Sequence, residues 1–288
     1  MMKQNNTVEP VPIPWIDTHC HLDLPPLSDR LEEIIDRAFE AGVAGFVVPA
    51  VAGPLQPVSL PKCALRAWGV HPGNAHRFEA ENMRALFSSS AYRPDAIGEC
   101  GLDREAPASF SHQREIFLVQ IELANENRLP LLIHVRGFWN EGLAILKHRE
   151  PFIPCVMHAF SGSAEMARLF LRSGIHTSHL SGSVQEKSLH SQGNLFLSFA
   201  GSLCMPQARK TPRVARECPE DAMVLETDAP DLRPIGWSFP DNEPGAIPLI
   251  AARMAALRGV PVESLRQRIF ENTQRIFGAE VWRSPRKY

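Results

Sequence analysis

The feature that most limits what this chain can fold into is a regular alternation of short apolar runs with longer stretches of helical periodicity. The apolar runs fall at 15–21, 44–51, 65–70, 96–100, 131–135, 154–158, 195–200 and 223–227. After the first, Leu31, Ile34, Ile35 and Ala38 recur at helical spacing, with Ser28 or Asp29 placed to cap and Gly42 to stop the helix. A weak helix is expected near 79–88, a strong one over 109–127 closed by Arg128-Leu129-Pro130, and another up to about 148. Further helices are expected near 207–217, 243–258 and 261–277. Strands alternating with helices read as a parallel sheet. Eight such units over 288 residues fit an α/β fold of the closed (β/α)8, or TIM barrel, type, with its site at the C-terminal ends of the strands. An open doubly wound sheet is the alternative, disfavoured because no Gly-rich phosphate loop follows the first strand. One link is irregular: Pro54, Pro57 and Pro61 leave no room for a helix between the second and third strands.

Composition narrows the function classes. A net charge of -2 carries no footprint of bulk nucleic-acid binding, although an enzyme gripping one strand end needs only a local cluster of cations. The six cysteines are scattered without a Cys-x-x-Cys pair and read as apolar core residues in a reducing compartment. Residues 1–14 are polar and proline-containing and read as a flexible tail, leaving 15–288 as a single domain. No run has signal-peptide or membrane-spanning character, so a cytoplasmic protein with no membrane partner and no obligate protein partner is expected.

The chemistry starts in Asp17-Thr18-His19-Cys20-His21-Leu22-Asp23. Side chains alternate along a strand, so His19 and His21 point the same way and form half of a metal site. Later strands end on more ligand types: Glu99 on the fourth, His134 on the fifth, His158 on the sixth and Asp228 on the eighth. Singly, each has a dull explanation: a strand-end imidazole bonded to backbone, a capping carboxylate, the start of a loop. In a barrel all six converge on one mouth. Four imidazoles and two carboxylates suit two divalent ions with one carboxylate bridging and a water between. Zinc, manganese or nickel fits so many imidazoles better than magnesium.

These stretches resemble a known family. DTHCHLD at 17–23, GVHP at 69–72, GECGLD at 98–103, IHVR at 133–136, HAFSGS at 158–163, ETDAP at 226–230 and ENT at 271–273 are similar to the motifs of the TatD-type metal-dependent hydrolases, the TatD deoxyribonucleases. The resemblance implies a metallo-dependent hydrolase barrel that trims DNA from a single-stranded 3′ end. It implies that His19, His21 and Asp228 hold one metal, His134 and His158 the other, and that Glu99 bridges. Glu99 and Asp228 are then the catalytic carboxylates. Three departures bear on specificity: the short proline-rich link after strand two, an apparent insertion at about 175–195, and Cys100 where the family has an apolar residue.

His71, ending strand three, and Arg136, two residues beyond His134, are candidate substrate contacts; a guanidinium there can grip phosphate oxygens in pairs. The plain alternative for Arg136 is a rim salt bridge. Asp17 and Asp23 either orient imidazoles or cap the turn, and Glu226 reads as a structural ion pair. His76, His112, His148, His176, His179 and His190 read as surface residues. Phe160-Ser161-Gly162-Ser163 recurs as Leu180-Ser181-Gly182-Ser183, a short repeat that establishes no solenoid. The leading expectation is a metal-dependent 3′→5′ exodeoxyribonuclease. Its rivals are an amidohydrolase or deacylase using the same metals on a carbonyl, and a binding protein without activity, which the intact ligand set argues against.

Overall fold

Eight parallel strands form the frame on which the site is mounted, in a computed structural model that describes residues 13–54, 59–149, 151–173, 193–278 and 282. In chain order they are β1 (Trp15–Asp17), β2 (Val43–Val48), β4 (Ala64–Val70), β5 (Ala96–Asp103), β6 (Leu131–Arg136), β7 (Cys155–Met157), β8 (Leu195–Phe199) and β9 (Met223–Leu225). Each pairs in parallel with the next. The two ends of this sheet meet: Thr18 N–H donates to Leu225 O (3.2 Å), Asp228 N–H to His19 O (2.9 Å) and His21 N–H to Ala229 O (2.8 Å). Those bonds close the barrel through the backbone that carries three of the expected ligands. Between the strands lie α1 (Leu31–Glu40), α2 (Met83–Ser88), α3 (Phe110–Asn127), α4 (Trp139–Arg149), α5 (Ala164–Arg172) and α6 (Lys210–Glu217), and α7 (Ile247–Arg258) and α8 (Val262–Phe277) follow the last strand. The proline-rich link contains no described helix; a two-residue strand, β3 (Ala52–Gly53), folds back antiparallel on the end of β4.

Two boundaries differ from the sequence reading in ways that matter for the site. The first strand stops at Asp17 because its buried carboxylate takes the N–H of His19 (3.2 Å), and Thr18 turns to bond Leu225. The fourth barrel strand, β5, runs three residues further than expected, to Asp103, with all eight residues buried. Glycines permit this. Gly101 has φ of 144°, and a Cβ there would stand 1.9 Å from the carbonyl oxygen of His134, so only glycine lets β5 and β6 approach.

The core is made by the apolar faces that the periodicity marks. On α1, Ile34, Ile35 and Ala38 are buried. On α3, Ser109 caps the first turn by accepting His112 N–H (3.3 Å), and Arg128 ends the helix in the left-handed conformation. That helix also buries two glutamines that read as misplaced polar residues until their partners are seen. Gln120 accepts Val70 N–H (2.7 Å) and donates to Val70 O (3.1 Å); Gln113 accepts Asp103 N–H (2.8 Å) and donates to Asp103 O (3.0 Å). Each side chain thus satisfies the backbone where a strand runs out, at the mouth of the barrel. No single described helix is long and apolar enough to cross a membrane. The second copy of the short repeat, His176, His179, His190 and all but the last residues of the 175–195 segment lie outside the described residues.

Candidate metal centre

Glu99 stands at the centre of the mouth, 3 % exposed, and its two oxygens face two different sets of imidazoles. Oε2 lies 3.3 Å from His19 Nε2 and 3.7 Å from His21 Nε2. Oε1 lies 2.9 Å from His134 Nδ1, 3.5 Å from His158 Nε2 and 3.6 Å from His71 Nε2. Asp228 closes the first set, its Oδ1 3.7 Å from His19 and His21 and 3.6 Å from His158. His19 and His158 stack with ring centroids 3.7 Å apart. All six residues that the sequence marks as ligand types therefore meet, and His71 joins them. Three compact groups result: His19, His21 and Asp228; His19, Glu99 and His158; His71, Glu99 and His134, the ligand atoms of each lying within 4.8 Å of one another.

Strand ends explain the convergence, but the loops that follow fix the aim. Asp228 and Ala159, just after β9 and β7, both have positive φ (58° and 40°), a conformation that non-glycine residues hold only where the surroundings impose it. Asp17 helps impose it. Its fully buried carboxylate accepts from the backbone of His19 and of Thr227 (2.9 Å) and from the Thr227 hydroxyl. Asp17 therefore ties β1 to the segment after β9 through backbone and does not touch an imidazole.

Electrostatics set the resting charges. Burial drives His19 and His71 down to about 4, so both rings are neutral near pH 7. Burial also pushes Asp17 up to about 7 and Asp228 well above the usual carboxylate range. Burial opposes the charged form of Glu99, but the surrounding imidazoles outweigh it and hold the carboxyl well below its ordinary value. His158 is held up by Glu226, Asp228 and Glu99 against its own burial.

The donor set fits divalent metal. His19 Nε2, which faces Glu99 and Asp228, is buried and makes no hydrogen bond of good geometry among the described residues, which is costly for a polar atom unless a ligand completes it. Imidazoles gathered around carboxylates are the donor set that first-row divalent ions select, each ring binding once it has shed its proton.

Two carboxylates behind the imidazoles go beyond the sequence reading. Glu226, fully buried, sits 2.8 Å from His158 Nδ1 and accepts Ala159 N–H (2.7 Å), so it orients an imidazole as well as forming the expected ion pair. Asp103 lies 3.5 Å from His134 Nε2 and was not singled out. Its signal was available: Glu99, Gly101 and Asp103 alternate on one face of one strand. His71 differs from the other imidazoles. Its Nδ1 accepts Gly73 N–H (3.0 Å), so the neutral ring carries its proton on Nε2, facing Glu99. Arg136, 53 % exposed, pairs with Glu105 at the rim. His76 and His148 are exposed, whereas His112 is half-buried with Nε2 against Ala75 O and Phe78 O. The centre opens into a cavity of about 800 Å³ lined by His71, Asp103, Arg136, Ser161 and Leu232 among others.

A parallel barrel with these imidazoles and carboxylates at its C-terminal mouth defines a metal-dependent hydrolase of the TIM-barrel class. The particular family follows from comparison with known proteins: TatD related DNase matches residues 16–278, and the chain belongs to that family. The metal-dependent hydrolase YabD of Bacillus subtilis is 31 % identical, covering 91 % of this chain and 98 % of that one. YjjV of Escherichia coli, also described as a metal-dependent hydrolase, is 29 % identical over 91 % and 97 % of the two chains. The crystal structure of YjjV, a TatD homolog, superposes with a TM-score of 0.77 over 92 % of this chain and 98 % of that one, at 27 % identity. A TatD family hydrolase of Entamoeba histolytica shares the fold at 17 % identity, with a TM-score of 0.71 over 93 % and 99 %.

Proposed function

We propose that this metal-dependent hydrolase is a 3′→5′ exodeoxyribonuclease that removes nucleotides from a free single-stranded DNA end. The observation that carries the reading is the two-sided environment of Glu99, with imidazoles facing each of its oxygens at the floor of an open cavity. It supports two ion positions: His19, His21 and Asp228 on one side, His134 and His158 on the other, Glu99 shared. When bound, divalent ions supply Lewis-acid polarisation of the phosphoryl group and acidify the attacking water. The chain's own residues do the rest. Asp228, whose Oδ1 lies close to three imidazoles, would complete the first ion position and is the second catalytic carboxylate of this reading. His71 is a hydrogen-bond donor at Nε2 and addresses a non-bridging phosphate oxygen. Arg136 exchanges Glu105 for a second phosphate oxygen, since a guanidinium pairs equally well with either planar anion. Asp103 and Glu226 hold the rings of His134 and His158 from behind.

The net charge of -2 confines the grip to the site and a few nucleotides, not a duplex track. End-labelled oligonucleotides incubated with manganese or magnesium, beside a panel of esters and amides, test this. Stepwise shortening from the 3′ end is expected, with circular DNA resistant. Arg136→Ala should weaken the activity while metal content stays intact. Intact oligonucleotides together with Glu99-dependent cleavage of an ester or amide would make the enzyme a deacylase instead.

A further inference from the structure

The loop after β9 carries an arrangement that the metal centre does not explain. Leu232 lines the cavity, is 38 % exposed and has a φ of 50°. A leucine in that conformation is strained, and an exposed one recovers little by burial. The loop does not depend on that side chain for its shape. Arg233 donates Nε–H to Phe239 O (2.8 Å) and Nη2–H to Trp237 O (2.6 Å), and Trp237 donates Nε1–H to Asp241 O (3.0 Å). Buried Asn242 donates to Thr227 O (2.8 Å) and Asp231 O (2.5 Å). The carbonyl of Leu232 rests on Gly201, where a Cβ would come within 1.9 Å of it. The backbone is thus pinned, and the leucine side chain is presented to the cavity. Leu24 and Pro25, following β1, line the same cavity, and β1 and β9 meet at the barrel's closing seam. The cavity therefore has a polar floor of imidazoles and carboxylates, a cation at Arg136, and a group of apolar side chains, Leu24, Pro25 and Leu232, beside Asp231.

A ligand that matches both parts has an anionic group to be cut and a flat apolar face beside it. We infer that Leu232, with Leu24 and Pro25, forms a subsite for the face of the nucleobase at the strand end undergoing hydrolysis. This rests on the nuclease reading and adds to it where the base sits and how it is read. Leu24, Pro25 and Leu232 themselves carry no side-chain donors or acceptors, so they grip a base by its face, with Asp231 the polar neighbour in the same lining. Leu232 is a binding residue, and losing it weakens capture of the substrate without slowing the chemical step.

Steady-state kinetics with single-stranded oligonucleotides ending in either a normal 3′ nucleotide or an abasic tetrahydrofuran nucleotide test this directly. For the wild-type enzyme the abasic end should show a KM about tenfold higher at similar kcat, the scale of one lost apolar contact. Leu232→Ala and Leu232→Gly should raise KM for the normal end by a similar factor and leave the abasic end unchanged. Leu232→Gly also relieves the left-handed backbone, so its thermal stability should match or exceed wild type, separating lost contact from misfolding. Ile235, 52 % exposed on the same loop but outside the cavity lining, is the control, and Ile235→Ala should behave as wild type. Equal KM for the two ends in the wild type, or equal losses on both ends in the Leu232 variants, overturns the subsite and leaves the nuclease intact. A wild type inert toward both oligonucleotides overturns the nuclease reading and the subsite with it.

Discussion

Glu99 is the residue on which the site turns, because a carboxylate offers two equivalent anionic oxygens and each here faces its own imidazoles. An amide does not reproduce that: one end carries N–H donors, which repel a cation and would point at one of the two sets. Glu99→Gln should therefore fold normally and lose at least ~100-fold in turnover, as expected when several kcal/mol of barrier lowering depends on the paired charges. Circular dichroism, metal analysis and the rate on the best substrate check this together; near wild-type turnover with unchanged metal content would make Glu99 a structural residue only. The six ligand types were legible at this scale because each falls at or just beyond the end of an apolar run, even though β1 stops at Asp17 and His19 and His21 lie in the segment that follows it. Glu226 and Asp103 were harder to read. Their partners, His158 and His134, lie far away in sequence, and only the closed barrel sets a carboxylate behind each ring. The donor character of His71 depends on a single backbone N–H, from Gly73, which no spacing rule reveals.

At the scale of elements, β5 and its contacts position the centre. It carries Glu99 and Asp103, packs on β6 through Gly101, and has its end tied to α3 by Gln113. Gly101→Ala places a methyl group against the carbonyl of His134, and backbone cannot yield as a flexible side chain can. We expect a loss of about 1–3 kcal/mol in stability, typical of overpacking, with activity falling further as Glu99 and His134 move apart. Thermal denaturation and turnover measured on one preparation check it; an unchanged melting temperature and rate would mean that β5 and β6 have slack the structure does not show. The alternation of apolar runs and amphipathic stretches made this architecture readable, since it reports burial and little else. Boundaries at the mouth were misjudged for a physical reason. At β1 the carboxylate of Asp17 takes over the backbone and pairing stops early, whereas β5 goes on pairing with β6 through Gly101 to Asp103, past its apolar run, so apolar pattern does not track strand length at the mouth.

At the scale of the whole molecule, the seam that closes the barrel is also where the candidate ligands meet. The hydrogen bonds that close the sheet between β1 and the segment after β9 run through His19, His21 and Asp228, residues about two hundred positions apart. On the proposed reading, His19 and His21 meet Asp228 only when the barrel shuts, and an ion held by them would tie the seam. The central claim is that the mouth of this closed barrel holds two ions that share Glu99. The most direct test is a calorimetric titration of the chelator-stripped protein with manganese or zinc, read as ions bound per chain. Two ions are expected for the wild type, and His19→Ala should lose at least one. A wild type that saturates with a single ion, or binds none above background, would contradict the account.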